Sequence, residues 1–320
     1  MNVERLNSYT HPLTSEQAAQ LRTLLEELGF EFSPKEYTLF FAQKDKLSLA
    51  VYEKGPKVLV QGKGVEEFVQ FELEPKIFGE AKLGYEEVHS PEMFEPHFGV
   101  DESGKGDFFG PLVIAGVYVD RGVARKLIDA GVQDSKRISS DARIRALADV
   151  IRKNTLGLIE VVLIGPAKYN ELYEKFGNLN KLLAWGHARV IENLLAKKPD
   201  CPRSLSDQFA DARVIEESLL RHGRKIEILQ RPRAESDIAV AAASILAREA
   251  FINWLDREGK KLGVRLERGV SPGVKAAAEK LVEAKGPEIL RRVAKIHFRT
   301  AHAIAPAHFA EPPPRQNWRK

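Results

Sequence analysis

The sequence predicts an α/β chain in two parts, a small α+β domain with an antiparallel sheet followed by a larger mixed sheet flanked by helices. Three observations carry this. Short segments of alternating polar and apolar residues crowd into positions 37–64, the period of half-buried strands. Beyond residue 98, β-branched runs such as LVIAGVYV (112–119) alternate with amphipathic stretches, as in packed layers of sheet and helix. Between them GEAKLGYEEVHSPEMFEPH (79–97) is polar, proline-punctuated and aperiodic, the composition of a linker. The expected division is a domain at 1–80, a linker at 81–97, a second domain at 98–309 and a disordered tail at 310–320.

With 320 residues, 43% of them hydrophobic and 29% charged, the chain can bury two ordinary cores, and neither disorder nor coiled coil fits. No apolar run reaches the eighteen or so residues of a membrane span, and MNVERLNSYTHPLTSEQ lacks a signal-peptide core. The expectation is a cytoplasmic monomer with no membrane partner. The single cysteine, Cys201, excludes an intramolecular disulfide framework and a cysteine-built zinc cluster; in KKPDCPRS it reads as a loop or packing residue. Up to Ser90 ten Lys or Arg face fifteen Asp or Glu, a net of −5, so a total of +4 leaves +9 on the remainder. A basic second domain suits a protein that holds phosphates without regard to sequence.

Taken in order, TSEQAAQLRTLLEELG (14–29) has Thr14 or Ser15 as N-cap, leucines at 21, 24, 25 and 28, and Gly29 as its stop, an amphipathic helix. YTLFFAQ, KLSLAVYEKG and KVLVQGKG read as a three-stranded meander, and VEEFVQFELEPKIF as a second helix. Lys44, Lys46, Lys57 and Lys63 concentrate on the meander and could meet phosphates, with Phe40, Phe41 and Tyr52 either stacking on bases or facing the domain's own core. In the second domain FGVDESGKGDFFGPLVIAGVYVD (98–120) reads as strand, glycine turn, strand. Helices are expected at RGVARKLIDAGV, at SSDARIRALADVIRKN after the loop Gln133-Asp134-Ser135-Lys136, and at NLNKLLAWGHARVIENLLAKK; LGLIEVVLIG is a strand between the last two. CPRSLSDQFAD is a short strand with Asp207 at its C-terminal end, followed by another strand and then the apolar helix DIAVAAASILAREAFINWLDREGKKL. SPGVKAAAEKLVEAKGPEILRRVAKIHFRTAHAI supplies two more helices, split at Gly286-Pro287.

Functional groups in open α/β sheets gather outside strand ends, where Asp101, Glu102 and Asp207 are predicted. Read locally, Asp-Glu-x-Gly is a hairpin whose tight turn carries charge, Asp-Ser before a helix is a turn or cap, and Asp237 at a helix start is an N-cap. Adjacent strand residues point to opposite faces, so a shared site for Asp101 and Glu102 requires a strand end or a bulge beside Gly104. Ser244 and Arg248 fall seven and eleven residues after Asp237, nearly on one helical face, so Arg248 can reach a substrate backbone or form an exposed ion pair. His297 and His302, in a basic helical segment, read as structural or surface groups.

The ordered string DESGKGDFFGPL resembles the signature of the type 2 ribonucleases H, and its Gly-Lys-Gly followed by Asp looks like their third subclass, ribonuclease HIII. QDSK, AAASILAREAF and KIHF are similar to further parts of that family, and LVQGKG fits its N-terminal domain, which is similar to one repeat of the TATA-binding protein. The resemblance implies a ribonuclease H-like mixed sheet. It implies hydrolysis of the RNA strand of RNA–DNA hybrids, leaving 5′-phosphate and 3′-hydroxyl ends, with two Mg²⁺ or Mn²⁺ ions on Asp101, Glu102, Asp207 and Asp237. It places Gly104, Lys105, Gly106, Ser135 and Lys136 at the substrate. Four carboxylates suit hard divalent cations, and two such ions can clamp a phosphodiester. The serine before Asp207 departs from the apolar residue expected there. Two rivals remain at this point: a ribonuclease HII that excises single ribonucleotides from DNA, and a non-catalytic nucleic-acid-binding protein that kept the fold. The Gly-Lys-Gly and the extra domain oppose the first, and the presence of all the acids opposes the second.

Overall fold

The computed structural model describes residues 8–79, 90–209, 212–219 and 226–310. It divides into two units, Met1–Glu92 and Met93–Lys320. Most of the expected linker and the expected tail beyond residue 310 lie outside the described residues. At the linker's end the expectation is corrected: Met93 and Phe94 are buried in the second unit's core, and His97 already belongs to its first strand.

The first unit contains strand β1 (Ser8–Pro12), helix α1 (Ser15–Glu27), strands β2 (Glu31–Ser33), β3 (Thr38–Lys44), β4 (Leu47–Tyr52) and β5 (Lys57–Gly62), and helix α2 (Val65–Phe68), which continues as a π-helix over Val69–Phe78. The sheet is antiparallel in the order β1-β5-β4-β3-β2. It has five strands where sequence reading found three. Thr14 caps α1 in a reciprocal capping box with Gln17. One face of the sheet packs Phe40, Ala42, Leu49, Val51, Val58 and Val60 against Leu21, Leu25, Phe68 and Leu73 of the helical elements.

The second unit continues with β6 (His97–Ser103), β7 (Leu112–Val119), α3 (Arg121–Asp129), α4 (Asp141–Asn154), β8 (Ile159–Ile164), α5 (Pro166–Phe176), α6 (Leu179–Lys197), β9 (Arg203–Asp207), α7 (Ala212–Glu216), β10 (Glu227–Arg231), α8 (Ile238–Leu262), α9 (Pro272–Lys285), α10 (Ile289–Val293) and α11 (Arg299–Ile304). Its sheet has the order β10-β9-β6-β7-β8; β6, β7 and β8 are antiparallel, while β9 and β10 run parallel to β6. Helix α8 covers one face. A Cβ at Gly99 would lie 2.1 Å from the Ala239 carbonyl carbon, so glycine is what lets the helix lie on the strand. Helix α6 covers the other face with Leu182, Leu183, Val190 and Leu194 against Val100, Leu112 and Ile114. By length and composition α8 could cross a membrane, but most of its apolar stretch is buried inside this unit, and each large side chain so buried contributes about 1.5–3 kcal/mol.

Candidate active site

Asp101 and Glu102 are consecutive residues of β6, paired across to Ala115 and Ile114 of β7 in unbroken register through Ser103. No bulge intervenes; β6 ends at Ser103, just before Gly104, which is the strand end that the sequence reading gave as the other arrangement. The two side chains therefore leave opposite faces of the strand. Asp101 shares the face of Gly99, under α8. Glu102 shares the face of Ile114, under α6, where its Oε2 accepts from His187 Nε2 at 3.1 Å and its Oε1 lies 3.5 Å from Lys105 Nζ.

Asp207 ends β9, one residue beyond the Val100–Ser206 pairing of β9 with β6, which sets it beside Asp101. Its Oδ1 accepts a 3.4 Å bond from Ala234 N–H, the first residue of a 3₁₀ turn at Ala234–Ser236. That turn carries Glu235. Its Oε1 lies 3.8 Å from Lys136 Nζ, and its Oε2 is buried with no hydrogen-bond partner. Lys136 in turn interacts with Asp134, Asp101 and Asp207 as well as Glu235, which together raise its pKa against its partial desolvation. Burial and the charge of Glu102 push the Asp101 carboxyl well above the ordinary carboxylate range. For Glu102 burial acts in the same upward direction, but the His187 hydrogen bond and Lys105 outweigh it and hold the group low.

Asp237 is buried, and its Oδ1 accepts from Ala239 N–H at 2.8 Å and Val240 N–H at 3.2 Å as the N-cap of α8, and from His97 Nε2 at 3.0 Å. Its Oδ2 is buried with no hydrogen-bond partner. Ala239, two residues on, abuts Gly99 on the Asp101 face of β6, and His97 lies on that same face, four residues before Asp101. The N-cap reading accounts for one oxygen of Asp237 and leaves the other for the role expected of the fourth acid; Glu235, which the sequence did not single out, is a further acid beside Lys136.

The loop residues divide likewise. Ser135 N–H donates to Ser244 Oγ at 3.1 Å, Ser244 Oγ donates to the Ala241 carbonyl, and Arg248 Nη1 donates to the Ser135 carbonyl. Ser135 and Ser244 are buried, and Arg248 also faces Asp141 at 3.6 Å. These three residues clamp the loop's backbone to α8, and the contact with Asp141 is the ion pair expected as the alternative for Arg248. Lys136 is the member of that loop that reaches the acids.

Gly104 has φ +88°, and a Cβ there would lie 2.2 Å from the Pro111 carbonyl oxygen; only glycine fits. Nothing lies within 4 Å of the Cβ direction of Gly106, which leaves the backbone open to approach. The turn is braced from beneath by Lys295 of the KIHF segment, fully buried, whose Nζ donates to the carbonyls of Asp107 (3.0 Å), Phe109 (3.4 Å) and Gly110 (2.7 Å). Burial draws its ammonium down to about 7, opposed by Asp107. Asp107 itself accepts from Gly269 N–H at 2.6 Å. His297 stacks on Tyr173 of α5, its ring centre 4.1 Å away, with Tyr169 at 5.6 Å, and His302 contacts the Phe309 carbonyl, so both are structural.

Every acidic donor here is a carboxylate oxygen, the type hard divalent cations take. Among the described residues no three Asp, Glu, His or Cys side chains form a ready-made metal cage. The carboxylates lie against lysine ammonium groups instead, as repelling anions do without a cation between them. Together with the unpartnered, buried oxygens Oδ2 of Asp237 and Oε2 of Glu235, this donor set fits a bound cation.

In the first unit Phe41, Tyr52 and Leu59 lie opposite the packed face, with Lys35 4.7 Å from the Phe41 ring centre and Lys57 5.4 Å from that of Tyr52. Phe40 is core, so the aromatics split between the two expected roles. Lys44, Lys46 and Lys63 line a shallow cleft with Phe71 and Glu67 at the end of the sheet, and Lys44 Nζ donates to the Leu28 carbonyl. Of the four lysines singled out, Lys57 lies on the uncovered face.

Residues 98–301 match the family model described as Ribonuclease HII. A ribonuclease HIII of Protochlamydia amoebophila (strain UWE25) is 45% identical over 287 residues, covering 90% of this chain and 93% of that protein. The chain belongs to the ribonuclease HIII family. The ribonuclease HIII of Chlamydia abortus is 44% identical over 89% of this chain and 93% of its own length. Among solved structures, Bst-RNase HIII in complex with Mn²⁺ is similar with a TM-score of 0.62 and 27% identity, over 93% of this chain and 99% of the other. These ribonuclease HIII matches extend beyond the region that the family model covers, so they include the small antiparallel unit. The mixed sheet with flanking helices is the architecture that the resemblance implied.

Proposed function

We propose that the chain is an endoribonuclease that hydrolyses the RNA strand of RNA–DNA hybrids, leaving 5′-phosphate and 3′-hydroxyl ends, with Asp101, Glu102, Asp207 and Asp237 as its metal-holding carboxylates and Glu235 beside them. One observation carries this reading. Acids from two strand ends and a 3₁₀ turn gather around Lys105 and Lys136, beside a glycine turn whose backbone is open at Gly106. The four acids would hold Mg²⁺ or Mn²⁺, the latter being the ion bound in the Bst-RNase HIII complex. When bound, such ions activate the attacking water and stabilise the leaving oxygen.

The protein's own groups do the rest. Burial and the charge of Glu102 hold the Asp101 carboxyl above the ordinary range, and both its oxygens serve as ligands only in the deprotonated form. Lys105 and Lys136 neutralise the acids beforehand and are then free to meet substrate phosphates. The Gly104–Gly106 backbone can come close to the ribose, where the 2′-hydroxyl distinguishes RNA from DNA. Ser135, Ser244 and Arg248 keep the loop of Lys136 in place. In the first unit, Phe41, Tyr52 and Lys57 form a face suited to tracking a nucleic-acid backbone.

The test is hybrid cleavage with Mg²⁺ by Asp101→Asn. A loss of at least ~100-fold in kcat is expected for a group acting in the transition state. Cleavage at the wild-type rate would remove Asp101 from the site.

A further inference from the structure

Helix α6 contributes a residue that neither the composition nor the motifs pointed to. His187 is 1% exposed, and among the described residues the hydrogen bond its side chain makes is from Nε2 to Glu102 Oε2 at 3.1 Å. Its Nδ1 is also buried, with no partner. A protonated ring would leave a second buried N–H unsatisfied, so the neutral tautomer with hydrogen on Nε2 fits the site. The local packing aims the ring. Glu102 pairs across the sheet with Ile114, and a Cβ on Gly186 would lie 2.6 Å from Ile114 Cδ1. Helix α6 therefore settles onto the strand at Gly186, and the next residue arrives beside the Glu102 carboxylate. Phe209 closes the other side, its ring centre 4.8 Å from that of His187.

The two oxygens of Glu102 have partners of different kinds. Lys105, on Oε1, is 40% exposed and sits in a glycine-flanked turn, so it can leave. His187 is fixed by a helix. Asp101, on the opposite face, has Asp207 and Lys136 around it, whereas Glu102 has His187 as its rigid support. We infer that His187 is a positioning residue: it holds Oε2 of Glu102 so that Oε1, once Lys105 withdraws, faces a divalent cation in a fixed orientation.

This inference rests on the reading of Glu102 as a metal-holding acid, and the experiment separates the two. In the full-length protein, Mn²⁺ alone is titrated by calorimetry, and kcat and KM on a hybrid are measured, for His187→Leu, His187→Gln, His187→Asn and Glu102→Gln. Glutamine can place an amide N–H where Nε2 stands, whereas asparagine is too short to reach. His187→Leu and His187→Asn are expected to weaken Mn²⁺ binding and lower kcat by about 10–100-fold, as loss of an outer-sphere partner does, with KM for the hybrid within about twofold. His187→Gln is expected to recover most of both. The inference is overturned if His187→Leu and His187→Asn match wild type while Glu102→Gln loses metal binding and cleavage. It is also overturned if glutamine is as impaired as leucine, which would make the role one of packing. Should Glu102→Gln itself bind Mn²⁺ and cleave normally, the underlying reading of Glu102 fails first.

Discussion

Glu235 and Asp237 stand two positions apart. Asp237 gives its Oδ1 to two helix N–H groups and to His97, and its Oδ2 is buried and unpartnered; Glu235 turns Oε1 toward Lys136 and likewise leaves Oε2 buried and unpartnered. Asp237→Asn, which keeps an oxygen for the helix N–H groups, is expected to lower hybrid cleavage by at least ~100-fold while leaving the melting temperature near that of wild type. Asp237→Ala also removes a cap worth about 1–2 kcal/mol and orphans a buried His97 nitrogen at about 1–3 kcal/mol. Thermal melts beside single-turnover rates distinguish the two variants. The local sequence at Asp237 carried the N-cap signal and the family pattern a second role, and the carboxylate has one oxygen for each. Nothing in AESD shows that Glu235 turns toward Lys136, because that orientation is set by tertiary contacts. His297 gives a second prediction. Burial, with help from Lys295, lowers its pKa from 6.5 to about 4, so between those values the unfolded chain binds more protons than the fold. Stability is then full above pH 6.5 and falls as pH drops toward 4, by an amount on the order of 3 kcal/mol. Urea melts of wild type and His297→Phe across pH 4–7 test this, the variant being expected to show a flatter profile.

At the scale of elements, the glycine turn between β6 and β7 is the piece whose shape is most tightly imposed. Gly104 abuts the Pro111 carbonyl and the Phe251 ring, and Lys295 engages three carbonyls just beyond it. Gly104→Ala would bring both a positive-φ penalty and a clash, so a loss of more than about 1 kcal/mol is expected, together with a fall in kcat, read from melting and steady-state kinetics. Long periodic helices and β-branched strands were legible in the sequence, as were Thr14 and Asp237 as caps. Strands β1 and β2 were not, since five- and three-residue edge strands carry too few residues to show a period. Helix α5 was missed as well; its Asn170 is spent reading the Arg291 and Ala294 carbonyls, a long-range contact without local signature. The alternation problem at Asp101–Glu102 is met beside Gly104 by a strand end, one of the two arrangements expected, and not by a bulge. The protein answers it with a partner on each face, Lys136 under α8 and His187 under α6.

At the scale of the whole molecule, each unit brings one part of a hybrid nuclease. The larger unit, with the basic excess of the chain, holds the carboxylates, the two lysines and the open turn; the smaller one offers an aromatic and lysine-bearing sheet face. Family membership was legible because its motifs are ordered strings of residues whose roles are local, such as DESGKGDFFGPL. Ser135 was placed at the substrate through the QDSK loop, and Ser244 and Arg248 by helical spacing, which is the same whether it points at substrate or at a loop of the protein itself. The central claim is that the chemistry is cleavage of a continuous RNA strand paired with DNA. The most direct measurement compares cleavage, with and without Mg²⁺ or Mn²⁺, of an RNA–DNA hybrid, a DNA duplex containing one ribonucleotide, and plain duplex DNA. The account predicts metal-dependent cuts in the RNA strand of the hybrid, much weaker cutting at the single ribonucleotide and none in DNA. Equal cleavage of the hybrid and the single-ribonucleotide duplex, or hybrid cleavage that persists in excess chelator, would contradict it.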